Sequence, residues 1–276
     1  MNIQQALKQA TAELADRSDS ARLDAEVLLC HVLACNSAHL MAWPEKPLDD
    51  TQLNAFRQLL ARRVQGTPVA YLTGEREFWS LPFYVNEHTL VPRPETETLV
   101  EFILQYFADR PALKVLDMGT GSGAIAISLA HEQPRWLISA CDISEQALAI
   151  AEKNNRRHNT GVKLIYSNWF ENITERDFDI IVSNPPYIDP DDPHLQQGDV
   201  RFEPDAALSA ANKGMAAIEL LCSQAPGHLK ENGLLIVEHG YNQQQAVAAC
   251  FAQAGFNEIT QHLDLSGHTR ITAGRK

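Results

Sequence analysis

The tetrapeptide Asn184-Pro185-Pro186-Tyr187 follows Phe178-Asp179-Ile180-Ile181-Val182, a short apolar run that reads as a buried parallel strand. Ligand chemistry in open α/β sheets gathers at the carboxyl ends of strands, where this tetrapeptide falls. Asn184 offers a side-chain carbonyl that accepts a hydrogen bond. Pro185 holds Asn184 extended, and both prolines are fixed in φ, so their backbone carbonyls become rigid acceptors. Tyr187 adds a flat ring wall. Together the four suit a planar NH2 group: two protons held by two acceptors, a ring stacked on the plane, the nitrogen aimed at a reacting partner. A proline-stiffened turn is the plainer reading of an Asn-Pro pair. The chemical reading requires a cofactor site upstream.

Such a site is present in the pattern. Lys114 to Met118 is an apolar strand that runs into Gly119-Thr120-Gly121-Ser122-Gly123, and Ala124 to Ala130 continues as a helix. The glycines permit positive φ and close backbone approach to a ligand, and the helix start adds N–H donors and a positive dipole end. Further on, Asp142 ends a second apolar strand, Leu137 to Cys141, well placed to accept from ribose hydroxyls. Gly119-x-Gly121-x-x-Ala124 with a later acid also satisfies the dinucleotide fingerprint. Two features favour S-adenosyl-L-methionine over a nicotinamide dinucleotide. Asp117 sits just before the loop, suited to the cofactor's α-ammonium and poorly suited to a pyrophosphate. The Asn-Pro-Pro-Tyr wall presents acceptors to an amine and gives no route for hydride.

Several longer segments carry a resemblance. They are Arg76 to Phe83 (Arg-Glu-Phe-Trp-Ser-Leu-Pro-Phe), Leu90-Val91-Pro92-Arg93-Pro94-Glu95-Thr96-Glu97, and Asp189 to Pro204, which includes Asp199-Val200-Arg201-Phe202-Glu203-Pro204. With the two motifs above, the chain resembles the release-factor glutamine methyltransferases, the HemK/PrmC family, over essentially its whole length. The glycine loop is shared by many methyltransferases, and Asn-Pro-Pro-Tyr also by adenine amino-methyltransferases; the last two segments are the specific ones. The resemblance implies methyl transfer from S-adenosylmethionine to the side-chain amide nitrogen of the glutamine in the Gly-Gly-Gln loop of class I peptide-chain release factors. It implies catalytic roles for Asn184, Pro185 and Tyr187, and substrate contacts from those three and Pro186. Cofactor contacts are implied for Asp117, Gly119, Thr120, Gly121, Ser122, Gly123, Asp142, Asn168, Trp169 and Asn184. Arg201 and Glu203 are candidates for positioning the loop. Related enzymes usually carry an acid before the Trp-Phe that follows the third strand, and here that position is Asn168. An Asn still accepts from an adenine amino group, without the strength of a charged partner.

Composition limits the classes. The net charge is −12, which disfavours a nucleic-acid substrate and fits a protein substrate of basic character. The basic pairs Arg62-Arg63 and Arg156-Arg157 read as solvated helix faces. Five scattered cysteines without a Cys-x-x-Cys, and ten histidines without ligand spacing, predict a reducing compartment and no metal. The start lacks a basic region followed by an apolar stretch, so a cytoplasmic protein without a membrane segment is expected.

The elements that must position these residues follow from periodicity. Residues 1–73 read as a helical domain, expected to contact the release factor, with helical spacing at Ile3, Leu7, Ala10 and Leu14 and a later helix opened by Asp49-Asp50-Thr51. Residues 74–94 read as a hairpin linker, with one strand over Phe78 to Val85, a turn at Asn86-Glu87-His88 and a return at Leu90-Val91. Residues 95–276 alternate strands and helices, which predicts a mostly parallel sheet covered on both faces. The final antiparallel pair resembles the edge of the seven-stranded class I methyltransferase sheet, a Rossmann-like fold. Pro226-Gly227 should kink or shorten a helix expected over 214–230. A ribosomal-protein glutamine methyltransferase and an adenine amino-methyltransferase remain the alternatives. A nicotinamide-dependent enzyme and a non-catalytic scaffold are also on the table.

Overall fold

The computed structural model describes residues 1–276 and divides into two units. The first comprises Met1–Glu75 together with Pro193–Phe202. Its helices are α1 (Ile3–Leu14), α2 (Ala21–Leu33), α3 (Ser37–Ala42), α4 (Asp50–Val64) and α5 (Val69–Thr73). Capping boxes start two of them: Asn2 with Gln5 on α1 and Asp49 with Gln52 on α4. In each, reciprocal side-chain bonds satisfy donors that a helix start leaves open. The apolar stripe of α1 is buried against Leu28 and Leu29 of α2 and Phe56 and Leu60 of α4. Arg63 is not on a solvated face. It is 7 % exposed, and its guanidinium donates to Asp24 at 2.7 Å and to Asp199 at 2.6 Å. Two carboxylates distant in sequence compensate its burial, which the basic-pair pattern at Arg62-Arg63 does not reveal.

The second unit comprises Arg76–Asp192 and Glu203–Lys276. A two-stranded hairpin is formed by β1 (Glu75–Phe78) and β2 (Leu81–Tyr84). The expected hairpin lay later, and the difference is physical. Trp79 and Ser80 take φ of 53° and 57°, the pair of positive values that a two-residue hairpin turn needs. The turn therefore falls inside the run expected to be one strand, and no strand forms at Leu90-Val91.

The remaining elements are α6 (Pro94–Tyr106), β3 (Lys114–Met118), α7 (Ala124–Glu132), β4 (Leu137–Asp142), α8 (Glu145–Arg157), β5 (Lys163–Tyr166), β6 (Phe178–Ser183), α9 (Asp205–Leu208), α10 (Ala216–Gln224), β7 (Leu229–Glu238), α11 (Gln244–Gln253), β8 (Asn257–Leu263) and β9 (Thr269–Arg275). Pro226 and Gly227 end α10 as a single 3-10 turn, so the helix is shorter than 214–230. The seven strands run in the order β5-β4-β3-β6-β7-β9-β8. The first five pair in parallel, and β9 is antiparallel to both β7 and β8. Val115, Ile180, Val182 and Ile236 pack on one face with Leu99, Ile103, Ile125 and Leu129. Leu116, Ile181, Leu235 and Val237 pack on the other with Ile218, Leu221, Val247 and Phe251. Both faces are covered, which is why these strands read as continuous apolar runs.

The chain order reverses between β3 and β6, the switch point at which open α/β sheets bind ligands. Met118 and Ser183 are paired across that gap, and the Ser183 hydroxyl donates to the Met118 carbonyl at 2.7 Å. The glycine loop and the Asn-Pro-Pro-Tyr segment thus leave the sheet side by side. No helix is long and apolar enough to cross a membrane.

Candidate active site

Gly119, Gly121 and Gly123 all take positive φ, from 56° to 85°, so the loop demands residues without a Cβ. Their surroundings differ. A Cβ on Gly119 or Gly121 would meet nothing within 4 Å, whereas on Gly123 it would lie 2.6 Å from Cδ1 of Ile127. Two glycines leave an open approach to the loop, and the third lets α7 pack.

The loop's amides are largely engaged within the protein. Gly119 and Thr120 donate to the Cys141 carbonyl, Gly123 to the Thr120 carbonyl, and Gly121 to Asp142 Oδ2, each at 2.8–2.9 Å. Asp117, near the end of β3, takes the Thr120 hydroxyl at 2.6 Å, and the Ala126 amide in the first turn of α7 acts on its carboxyl. The helix start expected to offer donors to a ligand therefore already faces an internal carboxyl. A pyrophosphate would find few free donors and a nearby acid, which removes the physical basis of the dinucleotide reading.

Asp117 is fully buried, and its Oδ1 has no hydrogen-bond partner. Burial pushes its pKa up to about 7, opposed by the Thr120 hydroxyl and the nearby Ala126 amide and aided by Asp142. An orphaned buried carboxyl oxygen beside an open glycine loop suits a cationic group. Asp142 accepts from Gly121 and Ser144, and burial raises its pKa as well. An ionised carboxylate has lone pairs beyond those two bonds, so hydroxyl donors can still be accommodated. Asn168 and Trp169 follow β5, which pairs with β4 up to Asp142 and Tyr166. The Asn168 amide donates to Glu171 Oε1 at 2.8 Å, which leaves its carbonyl oxygen as the acceptor.

Asn184 Nδ2 donates to the Thr96 hydroxyl at 3.0 Å. The nitrogen end of the amide is thereby engaged, and the carbonyl end is the one available. Pro185 is buried and Asn184, Pro186 and Tyr187 are half-buried. Tyr187 is fixed at both ends, with its hydroxyl donating to Glu238 at 3.4 Å and its carbonyl accepting from Gln243 at 2.9 Å. Gly214, at φ 80°, packs so closely that a Cβ there would lie 2.0 Å from the Tyr187 carbonyl oxygen.

Of the loop candidates, Glu203 is buried and joins Arg93 and the Val91 amide. Arg201 belongs to the first unit, where its guanidinium reaches the Gln65 carbonyl at 3.4 Å. Four residues that sequence reasoning missed support the site: Thr96, Asn154, Gln243 and Glu238. Only Thr96 lay within a segment already singled out, and nothing in its type signalled a partner eighty-eight residues away. A depression of about 710 Å³ in the first unit, lined by Cys30, His31, Cys35 and His39 among others, contains none of the candidate site residues. No group of three or more His, Cys, Asp or Glu side chains is arranged to hold a metal.

Comparison with known proteins decides the family. The chain is 48% identical over 274 residues to the release factor glutamine methyltransferase of Shewanella oneidensis, covering 99% of this chain and 96% of that protein. It is 44% identical to the Escherichia coli protein of the same description, over 100% and 99% of the two chains. The chain belongs to the release factor glutamine methyltransferases. In keeping with that family, residues 5–74 match the PrmC N-terminal domain and residues 95–199 the methyltransferase small domain. The fold is also that of a methyltransferase from Pyrococcus furiosus, at a TM-score of 0.55 and 20% identity over 80% of this chain and 98% of that one. Release factor glutamine methyltransferases are therefore the frame in which the site's chemistry is read, and the enzyme is a methyltransferase.

Proposed function

We propose that this enzyme transfers a methyl group from S-adenosyl-L-methionine to the side-chain amide nitrogen of the glutamine in the Gly-Gly-Gln motif of class I peptide chain release factors. The observation that carries the chemistry is the orientation of Asn184, whose amide nitrogen is engaged by Thr96 and whose oxygen is left to accept. Family membership supports the substrate.

Asp117 would hold the cofactor's ammonium, Gly119 and Gly121 would let it approach, Asp142 would accept from its ribose, and Asn168 with Trp169 would border its adenine. Thr120, Ser122 and Gly123 shape the loop. Bound there, the cofactor supplies a methyl group made electrophilic by a positively charged sulfur. A glutamine amide nitrogen is a poor nucleophile because its lone pair is delocalised into the carbonyl. Asn184 Oδ1 and the Pro185 carbonyl would each accept one N–H of the substrate amide. Those bonds orient the nitrogen and stabilise the positive charge that develops on it. Pro186 stiffens the wall, and Tyr187 stacks on the amide plane. No dedicated base is required, because the alkylated nitrogen is strongly acidic and loses its proton readily.

The first unit, with the boundary near residue 73, is proposed to contact the release factor. The hairpin region 74–94 leads into the catalytic part, 95–276. The reaction belongs in the cytoplasm, where the factor acts, with neither membrane nor nucleic acid as partner. Transfer of labelled methyl to a purified class I release factor, beside its Gly-Gly-Gln→Gly-Gly-Ala variant, tests the reading. Label on the normal factor alone is expected. Label on both factors, or on neither while a ribosomal protein or adenine-containing nucleic acid is labelled, would overturn it.

A further inference from the structure

Val91 and Arg93 flank Pro92 immediately before α6, and the buried Glu203 carboxylate holds both. Its Oε2 accepts the Val91 amide at 3.0 Å, and its Oε1 accepts from Arg93 Nη2. Arg93 is the N-cap residue of α6, yet its side chain makes no cap bond. It could not make one, because a guanidinium carries donors only and a helix start needs an acceptor. The entry of α6 is therefore fixed from outside the helix, by Glu203. That entry carries Thr96. The Thr96 amide donates to the Arg93 carbonyl at 3.1 Å, and its hydroxyl takes Asn184 Nδ2 at 3.0 Å.

The chain that follows Glu203 is bonded to the other side of the site. After α9, the Leu208 carbonyl accepts the Ile188 amide and the Ala210 amide donates to the Ile188 carbonyl, both at 3.0 Å. Ile188 directly follows Tyr187. Residues 203–210 thus form a bracket within the second unit, with one end on the entry of α6 and the other on the exit from the tetrapeptide. The bracket bears on the chemistry through the Asn184 amide. A shift of α6 by about 1 Å would carry Thr96 out of hydrogen-bond range. The freed amide could then turn and present its NH2 to the NH2 of the substrate, so that two donors face each other.

We propose that Glu203 is a positioning residue for methyl transfer: by bridging Val91 and Arg93 it fixes the first turn of α6, so that Thr96 holds the nitrogen end of Asn184 and leaves its oxygen to the substrate amide. This rests on the function proposed above. The Glu203 side chain has no exposed surface, so it grips the enzyme itself and not the loop of a docked release factor. An apolar residue would fill the same space with a smaller desolvation penalty, but it would impose no register on the two residues it touches. Glu97, on the same turn of α6, takes the Trp79 amide at 2.8 Å and so anchors the hairpin. Glu203 joins that turn to the segment bonded beside Tyr187.

The test measures methyl transfer to a class I release factor by the wild-type enzyme, Glu203→Gln, Thr96→Val and the double variant, with cofactor affinity and thermal unfolding recorded for each. A glutamine at 203 turns its NH2 onto a donor, either the Val91 amide or the Arg93 guanidinium, and releases one of the two grips. Glu203→Gln is expected to lower kcat by about tenfold, with KM for the factor and cofactor affinity nearly unchanged. In the Thr96→Val background the same substitution should lower Tm as before but take nothing further from kcat, because Glu203 acts on the amide through Thr96. A merely structural role would lower Tm and leave the kcat of the folded variant alone. Normal kcat in folded Glu203→Gln overturns the proposal, as do losses that multiply in the double variant or a loss confined to KM for the factor. Should Glu203→Gln fail to fold, Arg93→Lys decides, since it keeps the charge and loses the planar fork. Lowered kcat with cofactor affinity kept then supports the proposal, and normal kcat overturns it. No transfer by the wild-type enzyme instead removes the proposed substrate, and the positioning role with it.

Discussion

At the scale of single residues, the site is built from carboxyls and amides whose partners fix what remains free. Asp117 is the clearest case. Its buried carboxyl has a pKa of about 7, well above the ordinary aspartate value. The stability it contributes is therefore full below its unfolded value near 4 and is lost as pH rises through about 7. A cation bound beside it reverses the shift and expels the proton. Cofactor binding near pH 7 is expected to release about half a proton per site, and affinity to strengthen as pH rises. Calorimetry in buffers of different ionisation heat measures the release, and Asp117→Asn should abolish it. Heats independent of buffer in the wild-type protein would contradict this. The candidate site residues were readable from the sequence because Asn-Pro-Pro-Tyr and the glycine loop are local, and the sheet brings the two segments side by side. The partners of Asn184 and Tyr187, Thr96 and Glu238, were not legible, since those contacts arise only when β6, β7 and the start of α6 are brought together.

At the scale of elements, the sheet places the two motifs side by side and α8 ties the glycine loop to the hairpin. Asn154 on α8 is fully buried. It accepts from the Tyr84 amide at 2.7 Å and donates to the carbonyls of Tyr84 at 3.0 Å and Ser122 at 2.8 Å. Asn154→Ala leaves those backbone groups without partners and should cost about 2–3 kcal/mol of stability. Cofactor affinity should fall as well, because Ser122 loses its anchor. Denaturant unfolding and a binding titration check both, and an unaltered affinity would show that the loop holds its shape without α8. The strands of the main sheet were readable because both faces are apolar and the runs are short. The hairpin was misplaced because Trp79-Ser80 lacks the glycine or asparagine that usually marks a two-residue turn.

At the scale of the whole molecule, the second unit is interrupted in sequence. Pro193–Phe202 belongs with the N-terminal helices, although it lies between the Asn-Pro-Pro-Tyr segment and Glu203. Asp199, within this segment, pairs with buried Arg63 of α4. No periodicity marks this, since a charge is buried only by virtue of distant partners. Arg63→Met should destabilise the protein by about 3–5 kcal/mol, because Asp24 keeps only the Ser18 and Ser20 hydroxyls and loses the cation that compensates its buried charge. Denaturant unfolding measures the loss, and a change below about 1 kcal/mol would mean that water already screens the pair. The proposed reaction turns on one acceptor, the Asn184 carbonyl, which lies beside the switch point with its amide nitrogen engaged by Thr96. Single-turnover methyl transfer by Asn184→Ala, at saturating cofactor and release factor, tests that role most directly. The expected result is a rate lower by about a hundredfold or more with cofactor affinity unchanged. A near-normal rate would contradict the role of the tetrapeptide in holding the substrate amide.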